Sequence, residues 1–498
     1  MSREALSLTP STTKRRFAKG LVWALVGGLL AYPTYQNVGV WILCFPMVAL
    51  IYRAVRGLNF WRGYAIGLVA GFTFFAAQTS WLSMYLGPVP LIALSLLQGL
   101  IFASFTAASQ LITTKKPWLA ALVFAGFWVA REWFSGNFPY GGFPWAKLVQ
   151  SQADTTLARW VWLGGSPLAD FLIVFAVVLV LELRGSRRRM LTISASAIVL
   201  FLAPMALPIS AGAEAGSLKV AAAQGNANAG LFSNRDSGRI LKNHILATNQ
   251  LLSSGERFDV LVWPENAVDV DLGLPQNAAV VQKIVDRTGK PLILGTVRQE
   301  DGLYNSSELW LPKTGLAARY DKRYPVPFAE YVPDRPFWSA LAPDLIGLLN
   351  YDFLPGHRSG VFDLAGRKVG VLICFEIAID QIQHDLVNDG ASVIFSQTNN
   401  SDFGKSDEAY QQLAIARLRA IETGRSIVNV STVGPSAIYL ADGSSVRQLG
   451  AFKRGFMVAD VPQRTSRTPA FFLGAGFEYL CVLIALIGLV AEPFRRRR

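Results

Sequence analysis

The chain has 498 residues, of which 52% are hydrophobic and only 16% are charged, and its mean hydropathy is +0.33. This composition excludes an ordinary soluble protein and indicates several membrane-spanning segments. The net charge of +13 does not indicate nucleic acid as a partner, because the basic residues cluster between apolar runs, as membrane topology requires.

Apolar segments along the chain predict about eight transmembrane helices, although several are shorter than the roughly 20 residues that a span needs. Seven of them fall within a predicted membrane domain (1–210). An extracytoplasmic domain (211–468) follows, and then a C-terminal helix with a basic cytoplasmic tail (469–498). The predicted spans cover residues 20–32, 38–52, 63–78, 89–113, 118–133, 167–183, 190–207 and 471–491.

The basic clusters predict the orientation of these spans. With eight spans, every cluster falls on one side, and the connections after the first and third helices contain no Lys or Arg. Both termini are therefore expected in the cytoplasm, and an uncleaved first span is favoured over a cleaved or twin-arginine signal. The clusters are Lys14, Arg15, Arg16 and Lys19; Arg53, Arg56 and Arg62; Lys115 and Lys116; Arg184 and Arg187 to Arg189; and Arg495 to Arg498.

A loop rich in glycine and aromatic residues, GNFPYGGFPW at positions 136–145, is expected on the outer side of the membrane. Its aromatic residues have two interpretations. They mark the membrane interface, which is the favoured interpretation, or they form a lipid-facing lip beside an active site. In the second case Gly142 and Trp145 are candidate substrate-binding residues.

The outer segment has the pattern of one α/β domain, with short apolar runs separated by helical patterns. The stretch Glu408–Thr423 is predicted as one of its helices. The three cysteines suggest no disulfide, and the low His and Cys content argues against a structural metal. The predicted strands cover residues 218–224, 260–263, 291–297, 307–311, 369–374, 392–395, 427–431 and 455–461.

Cys374 stands out because the buried strand VGVLICFEI (369–377) places a thiol two residues before Glu376. A lone thiol outside the cytoplasm is either an inert buried residue or a nucleophile. A nucleophilic thiol needs a base. The histidines (His244, His357 and His384) have no context that marks them, and surface positions would suit all three.

Carboxylates and a lysine offer the alternative to histidine. Glu265 ends the apolar strand VLVWPEN (260–266), where burial would raise its pKa toward that of a useful base. Lys322 and Glu330 flank a proline-rich turn, and Lys322 could hold an oxyanion and depress the pKa of a thiol. Each of these signals is weak alone, since a solvated loop residue is the ordinary alternative.

The order Glu, Lys, Cys, with spacings of about 57 and 52 residues, resembles the nitrilase (carbon–nitrogen hydrolase) superfamily. Its fold is an α-β-β-α sandwich and it uses a Glu–Lys–Cys triad. Such a domain carried on a polytopic α-helical membrane domain of about eight spans resembles the apolipoprotein N-acyltransferase family over essentially the whole chain. The matching motifs are AQGN (223–226), WPEN (263–266), YN (304–305), YDKRYPVPFAEYVP (320–333) and ICFE (373–376).

The resemblance implies a ping-pong acyl transfer without cofactor or metal. Glu265 would deprotonate Cys374, which would take an acyl chain from a phospholipid such as phosphatidylethanolamine as a thioester. The amine of a diacylglyceryl-cysteine on an apolipoprotein would then accept the chain. Lys322 and the backbone N–H of Phe375 would hold the oxyanion. Glu330, Glu376 and Asn305 would support the site, which would face the periplasm from the bacterial inner membrane.

The chain departs from the family pattern in four places, which bear on recognition of the donor and the acceptor. Phe232 is the aromatic residue after the QGN motif, where the family commonly has Trp. Ser135 replaces an Arg, Phe375 replaces a Tyr, and Ala329 replaces a Gly. Two other functions therefore stay open: a membrane-tethered amidase or acyltransferase with another amine acceptor, and a non-catalytic membrane receptor.

Overall fold

A computed structural model describes residues 10–36, 38–112, 114–230 and 237–496. The N-terminal part is entirely helical. Gly164 and Gly165 interrupt α8 near its beginning, and a π-helix and a 3-10 turn extend α9 to Ala206. The helices are α1 (Pro10–Leu29), α2 (Ala31–Thr34), α3 (Cys44–Val55), α4 (Phe60–Gln78), α5 (Ser83–Leu86), α6 (Pro88–Ser109), α7 (Pro117–Asn137), α8 (Val161–Glu182) and α9 (Ser186–Ala197).

Each apolar segment that the sequence predicts as a span overlaps helical structure. Within the described residues, six helical segments are long and apolar enough to cross a membrane. The helix Trp41–Val55 is shorter. Helix α7 is not among the six, and its second half contains Arg131 and Glu132. The protein is therefore a membrane protein with a polytopic helical domain.

Close packing of α4 against α6 depends on glycines. A Cβ atom at Gly71 would lie 2.6 Å from the Cβ atom of Phe102, and one at Gly99 would lie 2.9 Å from the backbone nitrogen of Phe72. Small residues let helix backbones approach in a membrane, where van der Waals contact is a main source of association. A side chain at either glycine would push the two helices apart.

Two six-stranded sheets form the centre of the outer domain. Their strand orders are β12-β1-β2-β3-β4-β5 and β11-β10-β9-β8-β7-β6, and β1-β2-β3 and β7-β8-β9 run parallel. The strands are β1 (Ser217–Gln224), β2 (Val260–Val262), β3 (Leu292–Gln299), β4 (Leu303–Leu311), β5 (Gly315–Asp321), β6 (Val361–Leu364), β7 (Arg367–Ile373), β8 (Val393–Thr398), β9 (Ser426–Ser431), β10 (Ser436–Tyr439), β11 (Ser445–Leu449) and β12 (Gly455–Pro462).

The sheets pack face to face, and helices cover both outer faces, so the predicted α-β-β-α sandwich is confirmed. Buried side chains such as Val262 and Phe395 fill the space between the sheets. Helices α10 and α11 cover the first sheet, while α14 and α15 cover the second. The remaining helices of this part are α10 (Arg239–Ser253), α11 (Pro275–Thr288), α12 (Arg335–Leu341), α13 (Pro343–Ile346), α14 (Asp380–Asn388) and α15 (Glu408–Thr423).

The sequence predicts eight of the twelve strands of the two sheets. Helix α15 has the predicted bounds. Strand β7 ends at Ile373, one residue before the end of the predicted strand 369–374. Strands β5, β6, β10 and β11 were not predicted. Strand β11 has the sequence SVRQL and is mostly exposed, so its pairing with β10 gives no hydrophobic signal.

The last helix, α16 (Pro469–Arg496), returns the chain to the helical domain, where it packs against α7 and α8. Phe477 of α16 makes an edge-to-face contact with Phe171 of α8, with ring centroids 5.4 Å apart. The outer domain is thus attached at both of its ends to the same group of helices. This attachment holds one end of the sandwich against the membrane domain.

Candidate active site

Glu265 lies immediately after the carboxyl end of β2, at the rim of the first sheet. The turn Trp263-Pro264-Glu265 packs directly on Gly295 of β3, whose backbone N–H donates to the Pro264 carbonyl at 3.1 Å. A Cβ atom at Gly295 would lie 2.5 Å from that oxygen and 2.6 Å from the Glu265 Cα. Only glycine therefore lets this turn lie against β3 and point the carboxylate into the site.

A buried hydrogen-bond network joins Glu265 to the predicted lysine. Asn305 on β4 donates through Nδ2 to Glu265 Oε1 at 2.7 Å and to Glu330 Oε1 at 2.8 Å. Lys322 Nζ lies 2.8 Å from Glu330 Oε2 and 4.0 Å from Glu265 Oε1. The backbone N–H of Val326 also donates to Glu330 at 2.7 Å. The structure thus brings together four residues from three separate segments of the sequence.

Cys374 begins a 3-10 turn, Cys374–Ala378, directly after β7. Its backbone φ of +55° is in the left-handed region, which costs roughly 1–3 kcal/mol for a residue with a side chain. The thiol is free of any disulfide and packs against the buried cluster between the sheets. A strained turn that presents a thiol beside a carboxylate and a lysine is typical of a nucleophile.

Burial and charge set the protonation behaviour of the site. Burial raises the pKa of Glu265 to about 7, against the lowering effect of Lys322. Burial also raises the pKa of the Cys374 thiol well above its usual value, and Glu265 adds to this while Lys322 opposes it. Burial alone would lower the pKa of Lys322, but Glu330 and Glu265 together raise it. Lys322 is therefore a fixed cation, and Glu265 is suited to exchange protons near neutral pH.

Glu376 supports the backbone rather than the lysine side chain. Its Oε1 accepts from the Tyr320 hydroxyl at 2.8 Å and from the backbone N–H groups of Arg323 at 2.8 Å and Tyr324 at 3.2 Å. Its Oε2 accepts from the backbone N–H of Ile373 at 2.9 Å. This single buried carboxylate therefore joins the strand before the nucleophile to the loop that carries Lys322.

The aromatic loop of the membrane domain lies against the residue after the nucleophile. Trp145 is buried and stacks on Phe375, with the ring planes 5° apart, and Phe143 stacks on both rings. The membrane-interface interpretation suits only the exposed Phe138 and Tyr140. Gly142 has φ +76°, and a Cβ atom there would lie 2.2 Å from the Gly136 carbonyl carbon, so this residue shapes the loop.

The structure corrects one expectation about the histidines. His244 is completely buried rather than at the surface, with Nδ1 3.0 Å from the Ile240 carbonyl and its ring against Trp263. His357 and His384 are exposed, as expected. None of the described contacts brings a histidine to Cys374, so a Cys–His pair has no support.

Three of the four departures from the family pattern lie in described parts of the chain. Ser135 is buried on α7, where its hydroxyl donates to the Glu132 carbonyl at 3.2 Å. Ala329 accepts through its carbonyl from the Tyr85 hydroxyl at 3.4 Å. Phe375 is the ring that stacks on Trp145. Phe232 lies outside the described residues.

Sequence reasoning missed a group of polar residues behind the nucleophile. Gln412 on α15 donates through Nε2 to the Cys374 sulfur at 3.6 Å, and Asn400 and the buried Glu408 lie next along the same chain of hydrogen bonds. Neighbouring Gln411 faces the other way, toward the membrane domain. The helical pattern of α15 was visible in the sequence, but nothing marked these polar residues.

Comparison with known proteins shows the family to which the chain belongs. Residues 27–179 match the model of the apolipoprotein N-acyltransferase N-terminal domain, and residues 219–470 match the carbon–nitrogen hydrolase model. An apolipoprotein N-acyltransferase from Mycolicibacterium smegmatis is 30% identical, with 97% of this chain and 89% of that protein covered. The chain belongs to the apolipoprotein N-acyltransferase family.

Another family member and a solved structure are also similar to this chain. An apolipoprotein N-acyltransferase from Pseudomonas syringae pv. tomato is 28% identical, with 90% of this chain and 92% of that protein covered. Among solved structures, an amidase from Nesterenkonia sp. is 18% identical, has a TM-score of 0.37, and covers 51% of this chain and 95% of its own. As a member of the family, the protein is a membrane-bound acyltransferase with a nitrilase-type domain.

Proposed function

We propose that the protein transfers an acyl chain from a membrane phospholipid, through a thioester on Cys374, to the N-terminal amine of a diacylglyceryl-cysteine on apolipoproteins. One observation carries the proposal. Buried Glu265 and Lys322 lie 4.0 Å apart, are joined through Asn305 and Glu330, and act electrostatically on the Cys374 thiol. This arrangement supplies a base, a fixed cation and a nucleophile in one place.

The first half-reaction forms the thioester. Glu265 takes the thiol proton, and the Cys374 thiolate attacks the ester carbonyl of a phospholipid such as phosphatidylethanolamine. Lys322 and the backbone N–H of Phe375 hold the oxyanion of the tetrahedral intermediate. The C–O bond then breaks, and Glu265 returns the proton to the oxygen of the departing lysophospholipid. Oε2 of Glu265 has no hydrogen-bond partner of normal geometry among the described residues, which leaves it available for this proton.

The second half-reaction transfers the chain to an amine. The neutral amine of the lipoprotein attacks the thioester, and Glu265 accepts a proton from the nitrogen. The C–S bond breaks, an amide forms, and Cys374 regains its proton from Glu265. Transfer from a thioester to an amine is favourable, because an amide is the more stable product. Water must be kept out of the site so that it does not hydrolyse the thioester first. The stacked rings of Phe143, Trp145 and Phe375 supply an apolar wall for that purpose.

The same proposal assigns sides of the membrane to the three parts of the chain. Residues 1–210 form the membrane domain, residues 211–468 form the catalytic domain, and residues 469–498 form the last span and its tail. The basic clusters support this assignment, in which both termini are in the cytoplasm of a bacterium and the catalytic domain is on the periplasmic face of the inner membrane. The donor lipid and the lipoprotein then reach the site from the outer leaflet.

The direct test is the mass of the peptide that contains Cys374. The protein in detergent is incubated with phosphatidylethanolamine, with Cys374→Ala as the control. We expect an acyl adduct that hydroxylamine removes, present only in the wild-type protein. Addition of a synthetic diacylglyceryl-cysteine peptide should then discharge the adduct and acylate the peptide. An unmodified thiol in a folded protein would overturn the phospholipid as donor.

The second candidate is a membrane-tethered amidase or an acyltransferase for another amine. The departures at Ser135 and Phe375 favour this alternative, because they change residues at or near the aromatic wall. It predicts that the thioester forms but that the lipopeptide does not discharge it faster than water or a simple amine does. The same incubation, with the lipopeptide omitted or replaced by a free amine, separates the two candidates.

A further inference from the structure

The amide of Gln412 makes a contact with the nucleophile that the Glu–Lys–Cys triad does not include. Its Nε2 lies 3.6 Å from the Cys374 sulfur, and the residue is only 2% exposed. Gln412 is in the first half of α15, on the outer face of the second sheet. The nucleophile is thus contacted from the helix layer as well as from the rim of the sheets.

The orientation of this amide is determined by its neighbour. Asn400 donates through Nδ2 to Gln412 Oε1 at 2.9 Å and to Glu408 Oε2 at 2.8 Å. Since the carbonyl oxygen of Gln412 is held by Asn400, its NH₂ group must point toward the sulfur. The reverse orientation would place two NH₂ groups against each other and an oxygen against a thiolate.

The orientation of Asn400 is determined in turn by the backbone. Ser431 Oγ accepts from the backbone N–H of Gly434 at 2.9 Å and donates to Asn400 Oδ1 at 2.6 Å. A backbone N–H can only donate, so Ser431 has its own hydrogen available for Asn400. The order of donors and acceptors therefore runs in one direction from Gly434 to the sulfur.

Glu408 accepts the second hydrogen bond of the Asn400 amide. Glu408, Asn400 and Gln412 together form a hydrogen-bond relay that ends at the Cys374 sulfur. Glu408 is 3% exposed, and burial raises its pKa to about 8, although the hydrogen bond from Asn400 opposes this. At neutral pH it is therefore mainly a neutral carboxyl that accepts from Asn400 without placing a full negative charge behind the nucleophile. No step of the proposed mechanism otherwise uses this buried carboxyl.

We propose that Gln412 is a further catalytic residue, whose N–H donates to the Cys374 sulfur, and that Asn400 and Glu408 are positioning residues that keep this donor directed at the sulfur. The proposal rests on the proposed acyl transfer. A donor on the sulfur stabilises the thiolate before it attacks the ester. It also stabilises the thiolate that leaves when the amine displaces it from the thioester.

Other charged groups act on the same thiol and must be separated from this effect. Those that change the thiol pKa are Lys322, which lowers it, and the carboxyl groups of Glu265, Glu330 and Glu408, each of which raises it when ionised. A substitution at Gln412 leaves all four in place. It therefore isolates the contribution of the donor from that of the charges.

The test compares Gln412→Met, which has similar length and no N–H, with the full-length wild-type protein in detergent. Gln381→Met on the exposed face of α14 is the matched control. Two quantities are measured: the pH dependence of Cys374 alkylation by iodoacetamide, and the rate of thioester formation from phosphatidylethanolamine. We expect Gln412→Met to move the alkylation midpoint upward by about one pH unit and to slow thioester formation about tenfold, as expected for one hydrogen bond to a charged group.

The relay predicts a second pair of results. Glu408→Leu removes the acceptor for Asn400 and should reproduce part of the Gln412→Met effect. Glu408→Gln keeps an acceptor oxygen and should recover most of the rate that Glu408→Leu loses. If Gln412→Met keeps the wild-type alkylation profile while remaining folded by thermal melting, Gln412 has no catalytic role. If Glu408→Gln is as slow as Glu408→Leu, the positioning role of Glu408 is wrong.

Failure of this inference can be told from failure of the proposed function. If the wild-type protein forms no thioester, the acyl transfer is wrong, and the alkylation profile alone still tests the donor. If the wild-type protein forms the thioester and Gln412→Met forms it equally fast, only the inference about Gln412 is wrong. Gln412→Ser, with a smaller side chain, provides the comparison should the methionine variant fail to fold.

Discussion

Single residues at the site behave as they do because the structure removes them from water. Glu265, Glu330 and Lys322 would be ordinary solvated side chains on isolated loops. Packed together, they form a network in which the lysine is held as a cation and Glu265 loses its proton near neutral pH. The charge of each residue therefore depends on its partners, and this dependence gives predictions that can be measured.

The first prediction concerns the pH dependence of thioester formation. Glu265 must be deprotonated to act as the base, and burial raises its pKa to about 7. The rate should therefore rise with pH through about 7, and at pH 5 it should be roughly one hundredth of its plateau value. The rate of Cys374 acylation, followed by peptide mass from pH 5 to 9, measures this.

Glu265→Gln provides the control for that profile. It keeps the side-chain shape and an acceptor for Asn305 but cannot take a proton. We expect acylation to fall at least 100-fold and to lose the rise near pH 7. A variant that keeps the same rise would show that another group is the base.

The second prediction concerns stability and Glu408. Its pKa is raised to about 8 in the folded protein, so between about pH 4.5 and 8 the folded state binds more protons than the unfolded state. Stability from this group therefore falls as pH rises through that window. Glu408→Gln should be more stable than the wild type at pH 9, by an amount on the order of a few kcal/mol, and similar to it at pH 4.

Thermal unfolding in detergent at the two pH values measures the Glu408 effect. Glu256→Gln, at an exposed position, is the control for a general effect of lost negative charge. An equal gain in melting temperature at pH 4 and pH 9 would contradict the assignment of the effect to the titration of Glu408.

At the scale of elements, α15 connects the nucleophile to the membrane domain. Its adjacent glutamines point in different directions. Gln412 contacts the Cys374 sulfur, while Gln411 Oε1 accepts from Trp81 Nε1 at 3.1 Å and from Trp145 Nε1 at 2.8 Å. Gln78 of α4 also donates to this oxygen, at 2.9 Å. The helix therefore fixes the position of the aromatic wall relative to the thiol.

The third prediction is that Gln411→Leu weakens the junction between α15 and the membrane domain, in which Gln411 is the shared acceptor. Three buried N–H donors lose the same acceptor, and each unpaired donor costs about 1–3 kcal/mol before the structure relaxes. We expect a clear drop in melting temperature and slower thioester formation. Gln411→Glu keeps an acceptor oxygen for the two tryptophans and should lose less activity. If Gln411→Leu forms the thioester as fast as the wild type, this junction has no role in the reaction.

Arg419, two turns further along α15, supports the turn that contains Cys374. Its guanidinium donates to the carbonyls of Ile377 at 3.0 Å and Ala378 at 2.7 Å, and it pairs with Asp380. Asp380 also accepts from Lys147, which follows the aromatic loop, at 3.2 Å. One helix thus holds both the backbone behind Cys374 and a residue of the membrane domain.

At the scale of the whole molecule, the arrangement brings a hydrophilic fold to a lipid surface. The catalytic sandwich follows the N-terminal helices and precedes α16 in the chain, and the aromatic loop 136–145 of the helical domain supplies part of the site. The catalytic domain alone would therefore lack the wall beside Cys374. This dependence explains in physical terms why a soluble hydrolase fold is joined to membrane helices.

The fourth prediction concerns the proposed orientation. In a Cys374→Ala background, Ser445→Cys on exposed β11 should react with a membrane-impermeant maleimide in intact spheroplasts. Ser186→Cys, at the exposed first residue of α9, should react only after the membrane is made permeable. The remaining cysteines, Cys44 and Cys481, are buried and serve as the internal background. Labelling of Ser186→Cys in intact spheroplasts would contradict the proposed orientation.

The sequence by itself determined the membrane class and the α/β character of the outer domain, and its resemblance to a known family implied the sandwich fold and the candidate triad. Long apolar runs between basic clusters are the pattern of membrane-spanning helices. The strand ends near Glu265 and Cys374 are visible as short apolar runs that stop at a reactive residue. The resemblance to the family depends on Glu265, Lys322 and Cys374 together, because their order and spacing are specific only in combination.

Only the tertiary structure decided the relay Glu408–Asn400–Gln412, the burial of His244 and the place of Trp145 beside the nucleophile. These depend on contacts between segments far apart in the chain, which have no periodicity in the sequence. A glutamine on a helix looks the same in the sequence whether it faces water or a thiol. What distinguishes the two cases is burial, since a buried amide must find partners, and those partners determine which way it points.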